Sequence, residues 1–160
     1  MLIPLTQGKT AVIDDEDHPL IAQHKWHAVF DHKQRWYANT NVRVEGKRRS
    51  LQMQALILGT KGGDHIDGDG LNNRRSNLRV ATPLQNARNK SKKKSPSSCP
   101  HKGVTWNKRA GRWKAVICAN YKEIHLGYFT DSVEAARAYD TAALKLHGEF
   151  AKVNFPDGHL

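Results

Sequence analysis

Three stretches of alternating residues, GVTWN, RWKAVICA and KEIHLGYF, constrain the fold more than any other part of the sequence. Turn signals separate them at Lys108–Gly111 and at Asn120-Tyr121, so the pattern predicts three antiparallel strands. One predicted face is mainly apolar and carries Val104, Trp106, Trp113, Ala115, Ile117, Ile124 and Leu126. The opposite face carries Thr105, Asn107, Arg112, Lys114, Val116, Cys118, Glu123 and His125.

The segment after these strands predicts a helix that covers the apolar face. Asp131 is a candidate N-cap with Glu134 three residues later, and Gly148 marks the end of the helix. Its many alanines are small enough to let the helix lie close against a sheet. The uncovered face is therefore a candidate DNA reader, because a sheet can enter the major groove and reach base edges.

Charge points to a polyanionic partner. The 160 residues carry a formal net charge of +11, and Gly70–Lys122 contains 14 Lys or Arg residues and no Asp or Glu. A solvated surface normally mixes both signs, so this run favours contact with nucleic acid. No apolar run is long enough to span a bilayer, and the N-terminus lacks a signal-peptide core. We therefore expect a cytoplasmic or nucleoid-associated protein with reduced cysteines and no membrane partner.

A change in composition divides the sequence into two parts. KSKKKSPSSCPHK favours a solvated, extended linker that follows the phosphate backbone, although a solubilising spacer is an alternative. We predict an α+β protein with a first domain over residues 1–89, a basic linker over 90–101 and a second domain over 102–156. Residues 1–58 predict short strands with one or two helical turns.

The chemistry is expected between residues 64 and 89. Asp64 and the Asn side chains offer hard oxygen ligands for a divalent cation, and His65 can take a proton from water at neutral pH. Three arginines could bind phosphate: Arg74, Arg75 and Arg79. Two other interpretations are a calcium loop, which lacks the required spacing and closing Glu, and a turn followed by a basic binding helix without catalysis.

The phrase DHIDGDGLNNRRSNLRVAT, followed by QN, resembles the HNH endonucleases in their H-N-N form, as in phage and intron-encoded homing endonucleases. The resemblance covers residues 51–89 and implies a ββα-metal (His-Me finger) fold. It further implies His65 as the general base and Asp64 and Asn86 as ligands of one divalent ion, Mg²⁺ or Mn²⁺. Asn77 would fix the loop that orients His65.

Two features leave alternatives at this site. The family often has a His-Arg pair where this chain has Gln54-Ala55, and Asn89 is a nearby alternative to Asn86 as a metal ligand. The rival functions are a DNA-binding regulator with an inactive nuclease domain and an RNA-binding protein without cleavage.

The second domain resembles the plant-type Apetala/ethylene-response-factor DNA-binding domain through LGYF, AARAYDTAALKLHG and NFP, over about residues 102–156. The resemblance implies a three-stranded antiparallel sheet packed on one helix, with the sheet in the major groove. The residues implied to face DNA are Lys102, Thr105, Asn107, Arg109, Arg112, Lys114, Cys118 and His125. Several of these positions differ from the usual family residues, so the plant target sequence is not carried over.

Together these patterns predict a metal-dependent endonuclease of the homing type that acts on double-stranded DNA and uses no small-molecule cofactor. One active site handles one strand, so a monomer should nick, and two strands would need a dimer or two sequential events.

Overall fold

The computed structural model describes residues 1–31, 35–89 and 99–156, and the chain separates into two compact units, Met1–Asn86 and Ala87–Leu160. Residues 90–98 of the predicted linker lie outside the described residues. The chain contains both strands and helices, which confirms the predicted α+β class. In the described part of the chain, no helix is long and apolar enough to cross a membrane.

The first unit begins with a short antiparallel pair and a three-stranded sheet. Strand β1 (Leu2–Pro4) pairs with β2 (Thr10–Val12), and helix α1 (His18–Ile21) follows. Strands β3 (His27–Phe30), β4 (Trp36–Val44) and β5 (Lys47–Gln52) form an antiparallel sheet in that order. Helix α2 (Met53–Leu58) then ends at Gly59, whose φ of 64° is the left-handed conformation that glycine adopts easily. The shared core contains Ala11, Ile13, Ile21, Trp26, Ala38, Met53, Ile57 and Leu78.

A second short hairpin and a helix complete this unit. Strands β6 (Gly63–His65) and β7 (Leu78–Val80) are antiparallel, and helix α3 (Pro83–Arg88) comes next, with residues 83–86 in this unit. Thr82 and Gln85 form a capping box at the start of α3. The Gln85 side-chain oxygen accepts from the Thr82 backbone N–H at 2.9 Å, and the Thr82 hydroxyl accepts from the Gln85 backbone N–H at 3.3 Å. The sequence thus fixes where the helix begins.

The second unit contains the predicted sheet and helix. Strands β8 (Val104–Asn107), β9 (Arg112–Ala119) and β10 (Lys122–Phe129) are antiparallel in the order β10–β9–β8, and helix α4 (Ser132–His147) packs on β9. Asp131 occupies the N-cap position as predicted, but its side chain makes no capping hydrogen bond. The buried side chains between sheet and helix include Val104, Ala115, Ile117, Ala135, Ala136, Tyr139 and Ala143.

A buried carboxylate ties the end of this unit to α4. Asp140 accepts hydrogen bonds from the backbone N–H groups of Asn154 and Phe155 at 2.8 and 3.0 Å. The Asn154 side chain also bonds the backbone of Lys102 in both directions, at 2.6 and 3.2 Å. The Asn-Phe-Pro segment therefore closes the domain by linking its first strand region to its helix.

Candidate functional site

Hairpin β6–β7 and helix α3 position the predicted site residues. The register places Asp64 opposite Arg79 and His65 opposite Leu78. The Asn86 side-chain N–H donates to the carbonyl of Gly63 at 3.1 Å, so α3 is held against the strand that carries the Asp-His pair.

A cavity of about 260 Å³ opens beside this strand. Three of the four predicted site residues line it: Asp64, His65 and Asn86. Its other lining residues are Val29, Asp31, Arg35, Tyr37, Asn39, Gln52, Gln54, Gly63 and Gly68. Asn77 lies outside the lining, and Asn89 belongs to the second unit, where it is buried.

The His65 imidazole is buried and oriented by Asn73. Its Nε2 lies 3.2 Å from the Asn73 side-chain oxygen. An amide oxygen only accepts, so this contact assigns the hydrogen to Nε2 and leaves the lone pair on Nδ1. Burial lowers the pKa of His65, although the Asn73 hydrogen bond and the nearby carboxylates partly oppose this shift. The neutral form, which can accept a proton, therefore dominates at pH 7.

Asn73 was not among the predicted site residues. Its side chain is fully buried, and its backbone N–H donates to the carbonyl of Val12 at 2.7 Å. The adjacent pair Asn72-Asn73 was visible in the sequence, but nothing in the spacing said which amide would reach His65.

Asn77 holds the loop between His65 and Asn73. Its side-chain N–H groups donate to the Asp67 carboxylate at 2.9 Å and to the carbonyl of Asn72 at 2.7 Å, and its oxygen accepts from the Asp67 backbone N–H at 3.0 Å. Partial burial acts to raise the pKa of Asp67, but the hydrogen bonds it accepts outweigh burial and lower it. The loop therefore carries an ionised carboxylate at neutral pH.

Asp64 is paired internally. The Arg79 guanidinium donates twice to its Oδ2, at 2.7 and 3.1 Å, and the two side chains are only 5% and 12% exposed. No described residue donates a hydrogen bond to Asp64 Oδ1. One carboxylate oxygen is thus held by the arginine, while the other is available to a ligand.

The three arginines predicted to bind phosphate differ in their surroundings. Arg79 is committed to the buried pair with Asp64, and Arg75 binds the carboxylates of Asp17 and Glu16 at 2.6 and 3.1 Å. Arg74 is exposed and forms no ion pair with any residue that the structure describes. DNA contact by these residues stays a prediction, and Arg74 is the one whose charge is available for it.

The oxygen donors around the cavity suit a hard divalent cation. The side-chain oxygens of Asp64 (Oδ1) and Asn86 (Oδ1) accept no hydrogen bond from a described residue. Carboxylate and amide oxygens are the donors that Mg²⁺ and Mn²⁺ favour. Among the described residues, no group of three or more His, Cys, Asp or Glu side chains is arranged to hold a metal ion, so the pair of Asp64 and Asn86 supplies one carboxylate and one amide oxygen.

The uncovered face of the C-terminal sheet carries most of the residues predicted to face DNA. Strand register places Thr105, Asn107, Arg112, Lys114, Cys118 and His125 on this outer face. Arg109 lies exposed in the turn between β8 and β9. Lys102 does not share the face, because its ammonium lies 6.0 Å from the Tyr139 ring of α4, and burial lowers the pKa of Lys102 to about 8.

A bulge adds a residue that the alternating pattern did not include. The register shifts between His125 and Gly127, which moves Tyr128 to the outer face opposite Lys114. Its ring lies 4.7 Å from that of His125, and its hydroxyl accepts a hydrogen bond from the Asn107 side chain at 3.3 Å. The outer face is therefore partly organised by a tyrosine.

The turn between β4 and β5 forms a second basic surface that the sequence reasoning missed. Arg43, Lys47, Arg48 and Arg49 are all exposed, and Arg43 lies directly opposite Arg48. None of the four forms an ion pair with a described residue. Opposed like charges destabilise a strand pair, and an anionic partner would relieve this repulsion. The segment VRVEGKRR carried the signal, with four cations around one turn.

Two domain families match the chain. Residues 63–88 match an HNH endonuclease family, and residues 99–149 match the AP2 domain family. An uncharacterised HNH endonuclease of Acanthamoeba polyphaga mimivirus is 30% identical over 148 residues, which cover 92% of this chain and 76% of that protein. The chain belongs to the HNH endonuclease family. This HNH protein also carries an AP2 domain, so both predicted resemblances are confirmed.

Other relatives match one part of this HNH protein. Protein 3.8 of Escherichia phage T7 is 36% identical over 89 residues, or 56% of this chain and 72% of that protein. The AP2-like ethylene-responsive transcription factor TOE2 of Arabidopsis thaliana is 36% identical over 100 residues, or 62% of this chain. The chain spans only 20% of that plant protein's length.

Proposed function

We propose that this protein is a metal-dependent DNA endonuclease that hydrolyses one phosphodiester bond per catalytic event and leaves 5′-phosphate and 3′-hydroxyl ends. One observation carries the proposal. A single cavity brings together a buried imidazole whose pKa is lowered and the side-chain oxygens of Asp64 and Asn86. A base and an oxygen donor set in one cavity suit metal-assisted hydrolysis of a phosphodiester.

Asp64 and Asn86 would hold the divalent ion. When bound, the ion would stabilise negative charge on the reacting phosphate and on the departing oxygen. Arg79 holds Oδ2 of Asp64, so the carboxylate stays fixed with Oδ1 available. The hydrogen bond from Asn86 to Gly63 fixes the amide and leaves its oxygen unpaired.

His65 would act as the general base. Its Nδ1 would take a proton from the attacking water while Nε2–H stays bonded to Asn73. Holding the ring in this orientation lowers the entropic cost of bringing the base and the attacking water into the reactive geometry. Asn77 supports the same arrangement indirectly, because it holds the loop from which Asn73 projects.

Double-stranded DNA would be bound through two basic surfaces. The outer face of β8–β10 would read the major groove, and the β4–β5 turn would contact phosphates. The preferred ion, the number of copies in the active protein and the cellular compartment stay predictions.

A plasmid-nicking assay tests the catalytic role. We expect the wild type to convert supercoiled DNA to the open-circle form with Mg²⁺ or Mn²⁺, and His65→Ala to lose at least roughly 100-fold, the lower range of general-base contributions. His24→Ala is the matched control, since His24 lies outside the cavity. Equal nicking by wild type and His65→Ala would contradict the catalytic assignment of His65. No nicking by either protein with any divalent ion would instead support the rival DNA-binding regulator.

A further inference from the structure

Gln54 has a buried carbonyl oxygen that no residue in the described part of the chain contacts by a hydrogen bond. The residue is 3% exposed, and its Oε1 is among the buried acceptors without such a bond. Its side-chain N–H does have a partner, because it donates to the Gln52 side-chain oxygen at 3.0 Å. The amide is thus held at one end and leaves an unused acceptor at the other.

Gln54 lines the cavity that contains the proposed active site. Gln54 lies in the first turn of α2 and packs against β6, where a Cβ atom on Gly63 would be 3.1 Å from Gln54 Cγ. The absence of a side chain at Gly63 therefore allows Gln54 to lie against the strand that carries Asp64. Gln54, Asp64 and Asn86 all line the same cavity.

An unpaired buried carbonyl lowers the stability of the folded protein. Leaving such a group unsatisfied costs folding free energy, whereas an apolar side chain of the same shape would be neutral or stabilising. Two neighbouring side chains in the cavity, Asp64 and Asn86, also present oxygens that accept no hydrogen bond from a described residue. Three side-chain oxygens that accept no hydrogen bond from a described residue, on residues lining one cavity, suit an electropositive ligand.

We propose that Gln54 belongs to the oxygen donor set for the divalent cation, to which its Oε1 is directed either directly or through one water. This inference rests on the proposed function and extends its ligand set beyond Asp64 and Asn86. It also gives a purpose to the position at which the sequence departs from the related His-Arg pair. A neutral oxygen strengthens the donor set without adding charge beside the Asp64 carboxylate, which is already shared with Arg79.

The inference is tested by binding of Mn²⁺ to the full chain, measured by the loss of the free-ion electron paramagnetic resonance signal. All variants are made in a His65→Ala background, so that the DNA is not cleaved. Each is titrated with and without a duplex oligonucleotide. We expect Gln54→Met to weaken Mn²⁺ binding by roughly 10-fold or more, as for other supporting groups around metals. Gln54→Glu should tighten it, because the oxygen is kept and a negative charge is added.

Two comparisons separate ligation from a packing role. Gln23→Met is the matched substitution outside the cavity, at an exposed glutamine whose side chain donates to the carbonyl of Pro19, and it should leave Mn²⁺ binding unchanged. Without metal, Gln54→Met should unfold at the same temperature as the His65→Ala background or higher, because an unpaired buried oxygen is removed. If Gln54 served packing alone, Gln54→Met would lower the stability of the protein and leave its affinity for Mn²⁺ unchanged.

The outcomes distinguish this inference from the proposed function. Asn86→Ala should weaken Mn²⁺ binding whether or not Gln54 takes part. If Asn86→Ala weakens binding while Gln54→Met stays within twofold of the unsubstituted background, Gln54 is not a donor and the proposed function stands. If that background binds no Mn²⁺ even with duplex present, the metal site itself is wrong and both conclusions fall.

Discussion

The Asp64–Arg79 pair gives the sharpest test of how this site is built. Arg79→Met removes the guanidinium and keeps most of the side-chain volume, so the Asp64 carboxylate stays buried without its partner. Both side chains are almost fully buried, and the two hydrogen bonds fall on one oxygen at 2.7 and 3.1 Å. Breaking a buried ion pair by removing one partner costs about 3–5 kcal/mol, because an uncompensated charge is left inside.

That cost is large for a unit of this size. A loss of about 3 kcal/mol lowers the unfolding midpoint of a 60–100-residue domain by roughly 12–24 °C. It also removes a large part of the roughly 5–15 kcal/mol that stabilises a typical domain. Arg74→Met is the matched control at an exposed arginine of the same segment, and its free energy of unfolding should stay within about 0.5 kcal/mol of wild type.

The measurement must report on the first unit alone, since the chain holds two. Hydrogen exchange of peptides from β6 and β7, followed across a urea series, provides that readout. The double variant with Asp64→Asn should recover most of the lost stability, because the unpaired charge is gone. The reasoning is refuted if Arg79→Met and Arg74→Met are equally stable and weaken duplex binding equally, since Arg79 would then be a phosphate contact.

Four further predictions concern chemistry and binding. Asn73→Asp places a carboxylate against the imidazole and raises the pKa of His65, so the acid limb of the kcat profile should move to higher pH; an unmoved limb contradicts His65 as the base. Arg112→Ala should weaken duplex binding and lower the slope of log affinity against log salt by about 0.9, as measured by fluorescence anisotropy at several salt concentrations; an unchanged slope removes this residue from the DNA surface. Arg48→Ala should have a similar effect if the β4–β5 turn contacts phosphate, and no effect if it does not. Chelation should abolish nicking and leave duplex binding by the sheet measurable, and nicking that survives chelation contradicts a metal-dependent reaction.

The sheet and helix of the second unit were predictable because their signals are local. Strict alternation with turn residues between the strands defines both the strands and their faces. A bulge leaves no such signal, because one extra residue changes the register without changing composition. For that reason Tyr128 appears on the outer face only in the structure.

The candidate active site was predictable in its residue types and less so in its contacts. The Asp-His pair and the two asparagines were visible as chemistry, and three of the four predicted site residues line one cavity. The partners Arg79 and Asn73 depend on the register of β6 with β7 and on a link to Val12, which are tertiary features. Arg79 was therefore predicted to bind DNA phosphate, because its burial beside Asp64 could not be inferred from the residue type.

The loop that orients His65 depends on residues far earlier in the chain. The backbone of Asn73 is bonded to Val12, and Arg75 is bonded through its backbone to Asp14 and through its side chain to Asp17. The stretch that matches the HNH family, residues 63–88, therefore contains Asn73, which contacts His65, but not the earlier residues that anchor the loop carrying Asn73. A nuclease cassette cut at those limits for grafting onto another DNA-binding protein should carry the catalytic residues and lack their alignment. A transferable module has to include the N-terminal hairpin and α1.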